Sequence, residues 1–482
     1  MHRSTARPST PAMSDGATTA QPAKSTAPQK RTPLPKLQVF ILLFIQLSEP
    51  ITGLVIYPFI MQFVRDIGIT GGDEARTGYF AGIIESVFYL AECSTVVYFG
   101  RASDRYGRRP VLLFGPLGLA LAMLGFGLSK QFWTLVVFRC MQGAFNGNIG
   151  VSKSVMAEIS DSTNIADIYS LIPVMWTVGV ALSPLIGGTL ANPAIRYPDT
   201  LGKIPLLREF PYLLPCATAG AIAFCAFIFG VFGLKEKKVQ LRMRTETEPL
   251  LPDREVSAPA DPPSEPPPMR DLFTRPVLIA LANYAFLCFC QMSYDVMIPL
   301  MYATPIELGG LGLSPLYIGR LMGFVGFLNV FMQIFFSAKA IRRFGPHRIF
   351  TATFCCLPIS FLAYPILNYL ARRAGRVDAA VIAVMVLQMS APFVVFPTFA
   401  CASIFIVDAV PTQNSLGSLN GLAHMVGSIL RSVAPSLVGS LFSASVSRHL
   451  LRGNLVYVVL CVITLCGLRV TLLLPTKLRS AS

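Results

Sequence analysis

The chain has 482 residues, 53% of them hydrophobic and only 13% charged, where soluble domains carry roughly 25% charge; a soluble enzyme, a disordered protein and a coiled coil are excluded. The 40 Lys and Arg against 25 Asp and Glu leave a net charge of +15. Beside a mean hydropathy of +0.58, that excess points to basic loops of a membrane protein and not to a nucleic-acid surface.

Residues 1–36 hold six Pro and ten Ser or Thr and no apolar stretch. Such a segment cannot bury enough surface to fold, so a disordered cytoplasmic tail is expected. It lacks the apolar core of a cleaved signal peptide, which leaves targeting to the first span. A helix needs about 20 apolar residues to cross the hydrocarbon core. Twelve segments are candidates, at about 37–62, 78–99, 111–128, 133–154, 169–190, 212–234, 277–303, 318–340, 349–370, 379–407, 416–442 and 455–474. The Pro-rich stretch 235–275 carries eight basic and eight acidic residues and divides them six and six. The expected architecture is an all-α membrane protein of twelve transmembrane helices in two six-helix bundles, 37–234 and 276–474. A cytoplasmic linker at 235–275 would join them, and a short cytoplasmic tail would follow at 475–482.

With both termini cytoplasmic, and with Lys153 and Lys339 at the ends of spans 4 and 8 counted to the loops, 25 Lys and Arg fall on the cytoplasmic side, 11 on the far side and four inside spans. That asymmetry follows the positive-inside rule. Arg372, Arg373 and Arg376 form one cluster on the disfavoured side. All eleven Cys fall within spans, four His are scattered, and no phosphate-cradling Gly-rich loop ends in Lys-Ser/Thr. No disulfide framework, metal, cofactor or ATP-driven step is therefore expected.

Three strings carry more. The loop after span 2 reads Gly100-Arg101-Ala102-Ser103-Asp104-Arg105-Tyr106-Gly107-Arg108-Arg109. Gly107 can relieve a tight turn, Asp104 can receive the N-terminus of a facing helix, and Arg108 can bond to it. The bland alternative is a topogenic basic loop. Span 4 reads Arg139-Cys140-Met141-Gln142-Gly143, then Asn146-Gly147-Asn148, with Arg139, Gly143, Asn146 and Gly147 on one helical face. An Arg inside a span costs at least about 2.5 kcal/mol, so it must meet a partner or a wet cavity. Either a coupling role or a purely structural ion pair fits. Span 5 reads Gly179-Val180-Ala181-Leu182-Ser183-Pro184-Leu185-Ile186-Gly187-Gly188, a Pro-bent stretch that permits close helix packing.

Two of these strings return weakly in the second half. Arg343-Phe344-Gly345 echoes Arg105-Tyr106-Gly107, without the Asp, and Ala434-Pro435 followed by Gly439 echoes Ser183-Pro184 followed by Gly188. Internal repeats of this kind mark many secondary transporters.

Four acids lie inside spans: Glu49, Glu85, Glu92 and Asp295. A carboxyl in apolar surroundings has a raised pKa and can exchange protons near neutrality; each can equally be a neutral or paired structural acid. In span 11, Asn420, His424, Gly427 and Arg431 form one stripe, with Arg431 facing a central cavity or locking onto a carboxylate of the other half. Asn329 and Gln333 in span 8 add polar lining or interhelical bonds.

The three strings resemble motifs A, B and C of the major facilitator superfamily. Motif C, with Ser183 replacing one Gly, resembles the twelve-span drug:proton antiporter branch. Ser48-Glu49-Pro50-Ile51 and Asn146-Gly147-Asn148-Ile149-Gly150-Val151 look like fungal members, and the whole is similar to plant zinc-induced facilitator-like carriers. The resemblance implies the major facilitator fold, a rocker-switch mechanism around a central cavity, and a motif A latch that holds the outward-open state. The expected function is proton-coupled efflux of a small organic molecule by a monomer in a lipid bilayer, the plasma membrane before the vacuolar one. The partners would be substrate and protons, with no nucleic acid. Gly100, Asp104, Arg105, Gly107, Arg108 and Arg109 would form the switch, and Gly179, Pro184, Gly187 and Gly188 the antiporter motif. Glu49, Glu85, Glu92, Arg139, Asp295 and Arg431 would serve proton coupling or the cavity. A uniporter or a proton-coupled importer of a nutrient or organic acid would share the fold. A membrane enzyme lacks its cluster of His, Asp or Ser, and a transporter-like receptor lacks a folded cytoplasmic domain.

Overall fold

The computed structural model describes residues 35–159, 165–234, 273–410 and 416–476. The tails expected at 1–36 and 475–482 and the linker at 235–275 lie almost wholly outside the described residues, as does the side chain of Asp104.

Every regular element among the described residues is a helix. In the first half they are α1 (Lys36–Leu54), α2 (Ile60–Asp66), α3 (Thr77–Tyr106), α4 (Arg108–Gly127), α5 (Phe132–Asn146), α6 (Ile149–Ile159), α7 (Ile165–Leu190), α8 (Pro193–Arg196), α9 (Pro205–Glu209) and α10 (Leu213–Gly233). In the second half they are α11 (Arg275–Ala303), α12 (Pro315–Met332), α13 (Ala338–Phe344), α14 (Pro346–Ala374), α15 (Ala379–Gln388), α16 (Pro392–Asp408), α17 (Leu416–Ser447) and α18 (Leu455–Thr471). Among the described residues, ten stretches are long and apolar enough to cross a membrane, against the twelve expected. Span 4 falls short because its helix breaks at Gly147 and Asn148, between α5 and α6. Span 12 is continuous, but α18 has only 17 residues.

Other breaks follow proline and local winding. Span 10 divides into α15 and α16 where Pro392 starts a new helix without a backbone N–H to continue the old one. Span 8 passes from α12 into one π-helical turn, Gln333–Ser337, before α13. A π turn widens the helix by one residue and rotates the side chains beyond it.

The ends of the helices define two faces. Gln38 at the start of α1 donates to the Gly233 carbonyl at the end of α10 at 2.6 Å, and Arg109 at the start of α4 donates to the Val231 carbonyl. Near the start of α11, Asn283 donates to the Val470 carbonyl of α18 at 3.2 Å. These ends make the tail face. At the far face Arg65 reaches from the first half to donate to the Ala303 carbonyl at the end of α11, 2.8 Å away. A cation there meets the negative end of the helix dipole, and Glu74 pairs with the same Arg at 2.7 Å.

The weak sequence repeat has a counterpart in backbone geometry. Gly107 ends α3 and begins α4 at φ 97°, ψ 158°, and Gly345 ends α13 and begins α14 at φ 79°, ψ 155°. Both sit in a region that only glycine enters without strain.

The halves meet along two crossings, α7 on α12 and α3 on α17. Lipid tails are as apolar as leucine, so close packing of small residues must supply the adhesion. At the first crossing, a Cβ on Gly188 would stand 2.4 Å from the Pro315 carbonyl oxygen and 2.7 Å from the Gly319 Cα. At the second, a Cβ on Gly439 would stand 2.2 Å from the Gly78 carbonyl oxygen. Hydrogen bonds join the second crossing. The Tyr79 N–H donates to Ser443 Oγ at 3.0 Å, and the Ser86 and Ser436 hydroxyls are 2.8 Å apart. Gly188, Gly78 and Arg65 lie toward the far face, which this conformation closes.

Candidate functional site

Between the halves lies a cavity of about 220 Å³. The first half contributes Leu54 and Tyr57 from the end of α1 and the residues after it, Tyr89 from α3, and Pro173, Trp176, Thr177, Val180 and Pro184 from α7. The second half contributes Gln291, Met292 and Asp295 from α11, Met322 and Gln333 from α12 and its π turn, Phe396 and Phe399 from α16, and Arg431 from α17. The wall is mostly apolar and aromatic, with two opposite charges.

Asp295 is half-buried, and Gln291 Nε2 donates to both of its carboxylate oxygens at 3.0 Å. Gln291 sits one turn earlier on α11, so the i, i+4 spacing sets this contact locally. Arg431, also half-buried, lies over the Phe399 ring at 5.8 Å and beside Cys288 and Tyr284 of α11. Gly427, one turn before Arg431, leaves room for Tyr284. Arg431 forms no ion pair among the described residues. Two buried polar atoms on the cavity wall find no hydrogen-bond partner among the described residues, Gln291 Oε1 and Gln333 Oε1; the Tyr57 hydroxyl is directed at Glu85.

A second charged set lies apart from the cavity, inside the first half. Arg139 is 1% exposed and Glu85 3%. Arg139 Nη2 donates to Glu85 Oε2 at 2.9 Å and to the Gly53 carbonyl at 2.9 Å; Nη1 donates to Gln142 Oε1 at 2.8 Å. The Phe88 ring lies 4.4 Å from the guanidinium carbon. This set ties α1, α3 and α5 into one unit. The motif's glycine contributes directly: a Cβ on Gly143 would stand 2.0 Å from the Phe88 carbonyl oxygen. Asn146, one turn on, donates to Glu49 Oε1 at 3.1 Å.

The six candidate charged residues therefore separate. Asp295 and Arg431 line the cavity, while Glu49, Glu85, Glu92 and Arg139 do not. Glu92 lies one turn beyond the cavity residue Tyr89 on α3, within electrostatic reach of Arg431.

In the motif A loop, Arg108 donates to Ser103 Oγ at 2.6 Å and Arg109 to the Val231 carbonyl, both within the first half. In the motif C stretch, Gly179 packs on Pro50 and Gly187 on the Val55 carbonyl of the α1 region, while Gly188 faces α12 of the second half. Ser183, which replaces a motif glycine, returns its hydroxyl to the Gly179 carbonyl at 2.7 Å.

The aromatic cavity residues, all missed by sequence reasoning, are Tyr57, Tyr89, Trp176, Phe396 and Phe399. The one usable signal was Trp176, two turns before Pro184 on the motif C helix. Tyr57 follows the end of α1, where no periodicity points its ring inward.

Two helical halves, small-residue crossings between them and a charged cavity at their junction fit a membrane transporter. The sequence profile of the Major Facilitator Superfamily matches residues 40–435, and the chain belongs to that family: it is an integral, multi-pass membrane transporter. It is 32% identical to the Major facilitator-type transporter psiT2 of Psilocybe cyanescens over 92% of this chain and 91% of that one. It is 27% identical to the Major facilitator superfamily multidrug transporter mfsB of Aspergillus fumigatus over 85% and 79%. Among solved structures, that of the POT family transporter PepTSo superposes with a TM-score of 0.64 at 12% identity, covering 92% of this chain and 97% of that one. This last likeness is one of fold.

Proposed function

We propose that this transporter is a proton-coupled exporter of small organic molecules, working by alternating access with both termini cytoplasmic in the plasma membrane. The observation that carries the reading is Asp295, an acid on the wall of a cavity between halves whose far-face ends are in contact. Export is supported by the motif C stretch and by the word multidrug in one relative's name.

In the conformation described, α7 meets α12 and α3 meets α17 toward the far face. The reciprocal state parts these crossings and brings the tail-face ends together, where the motif A loop of Gly100 to Arg109 would latch. Asp295 takes a proton when the cavity faces the far side and gives it up when the cavity faces the tail side, in exchange for substrate. Each proton entering down 100 mV supplies about 2.3 kcal/mol, enough for about a fifty-fold substrate gradient. The Glu85–Arg139 pair holds α1, α3 and α5 together while the halves rock.

Export from cells expressing the chain is measured over a panel of aromatic and organic-acid compounds, with and without a protonophore. The protonophore is expected to abolish export, and Asp295→Asn to lower it at least roughly tenfold, as loss of an essential proton carrier does. Transport that survives collapse of the pH gradient would mark a uniporter instead. Unchanged pH-driven export by Asp295→Asn would remove that residue from the coupling.

A further inference from the structure

The two charges on the cavity wall, its unpartnered polar atoms and its size together restrict what can occupy it; the restriction rests on the exporter reading and narrows its substrate. We propose that the cavity takes a compact aromatic zwitterion, with its anionic group on Arg431, its ammonium group on Asp295, and its ring on the aromatic wall of Trp176, Phe396 and Phe399.

Charge comes first. Asp295 and Arg431 both line the cavity, yet they form no ion pair with each other among the described residues. Gln291 Nε2 satisfies one direction on each Asp295 oxygen and leaves the remaining lone pairs for a ligand. Arg431 has the Phe399 ring, Cys288 and Tyr284 against it, none of them an acid, and Glu92 and Asp295 act on it electrostatically from beyond ion-pair distance. A purely cationic ligand would take up the Asp295 carboxylate and leave Arg431 with no anion in direct contact. A purely anionic one would take up Arg431 and leave Asp295 with no cation in direct contact. A ligand with both charges satisfies both, and charge-assisted bonds are about twice as strong as neutral ones.

The apolar part of the wall comes next. Trp176, Phe396, Phe399 and Tyr89 surround the charged pair, and rings favour offset or edge-on contact with another ring. Gln291 Oε1 and Gln333 Oε1 are buried without partners among the described residues, while the Tyr57 hydroxyl is directed at Glu85. Buried polar atoms in a native protein are nearly always bonded, so these two amide oxygens are available to the polar edge of a ligand. They can bond to a ring N–H or hydroxyl.

Size closes the case. A cavity of about 220 Å³ is smaller than the roughly 300–1,000 Å³ typical of drug-sized ligands. In the conformation described, that space suits one or two fused rings with a short charged chain.

The test uses four probes that share one ring system and differ in charge: tryptophan (zwitterion), tryptamine (cation), indole-3-propionate (anion) and 3-methylindole (neutral). Binding to the purified full-length chain in detergent is measured by calorimetry near neutral pH. Tryptophan is expected to bind at least tenfold tighter than each of the other three. Arg431→Gln is expected to erase the difference between tryptophan and tryptamine, and Asp295→Asn the difference between tryptophan and indole-3-propionate. Arg431→Lys keeps the charge, should restore part of the tryptophan preference, and reports that the fold tolerates change at this position. Tryptamine or indole-3-propionate binding the wild type as tightly as tryptophan would overturn the proposal. So would no binding of any probe, or full discrimination surviving in Arg431→Gln.

A second arm, in proteoliposomes under a pH gradient, separates this inference from the exporter reading. Selective tryptophan binding with flux indifferent to pH upholds the site and defeats the coupling. Flux driven by pH for all four probes alike upholds the coupling and defeats the site.

Discussion

Glu85→Ala is expected to destabilise the protein by about 3–5 kcal/mol, the cost of leaving one partner of a buried ion pair uncompensated. Arg139 is 1% exposed, and its other contacts are the Gly53 carbonyl, Gln142 Oε1 and the Phe88 ring. Each of these is polar or polarisable, and none carries a negative charge. Loss of the Glu85 carboxylate therefore strands a cation among α1, α3 and α5. Replacing both partners, as in Glu85→Ala with Arg139→Leu, removes the stranded charge and is expected to recover much of the loss, since buried pairs often break even against apolar packing. Thermal unfolding of the four variants in detergent gives the coupling energy directly. If Glu85→Ala melts with the wild type, the pair is not holding the three helices together. The same double variant also decides between the two roles open to Arg139. If it folds and still transports under a pH gradient, the pair is structural. If it folds and loses the pH dependence, the pair belongs to the coupling.

Gly188→Val is expected to shift the population away from the conformation described and toward one open at the far face. The atoms that a side chain at 188 would meet are the Pro315 carbonyl oxygen at 2.4 Å and the Gly319 Cα at 2.7 Å. Both are backbone, and neither can rotate aside. The crossing must widen toward the 8–10 Å or so between axes usual for helices that carry side chains at the contact. Overpacking of this kind costs about 1–3 kcal/mol, or about a five- to 160-fold change in the ratio of states. Gly439→Val is expected to act alike, because its Cβ would meet the Gly78 carbonyl oxygen at 2.2 Å. Gly421→Val is the control on the same helix, since nothing lies within 4 Å of a Cβ there. Spin labels at the exposed positions Ile195 and Tyr317, in a cysteine-free background, report the separation of the halves at this face. A distance distribution in Gly188→Val equal to that of Gly421→Val would sink the idea that these glycines set the closed state.

Some local geometry was written plainly in the sequence. The Gly107 turn was assigned from one basic string, and the backbone at Gly107 and Gly345 has the same positive-φ geometry. The close packing expected of the Pro184 stretch occurs at Gly179, Gly187 and Gly188. These features depend on backbone sterics over a few residues, which glycine and proline control directly. Length and hydropathy identified apolar segments but not their continuity. Span 4 breaks at Gly147 and Asn148, and Gln333 opens a π turn, because tertiary contacts can outweigh a helical pattern at single turns.

The sequence by itself determined that the chain is a helical membrane protein, that its two halves repeat a turn and a crossing, and that, apart from Lys153 and Lys339 at span ends, its few intramembrane charges balance: four acids and four Arg. What only the tertiary structure decided is how those charges divide. Glu85 and Arg139, 54 residues apart, close on each other within the first half. Asp295 and Arg431, 136 residues apart in sequence, face one cavity together. Helical periodicity fixes which residues share a face, but not which face turns toward which neighbour. That choice is made by packing, where two glycines let backbones touch and an arginine finds its carboxylate.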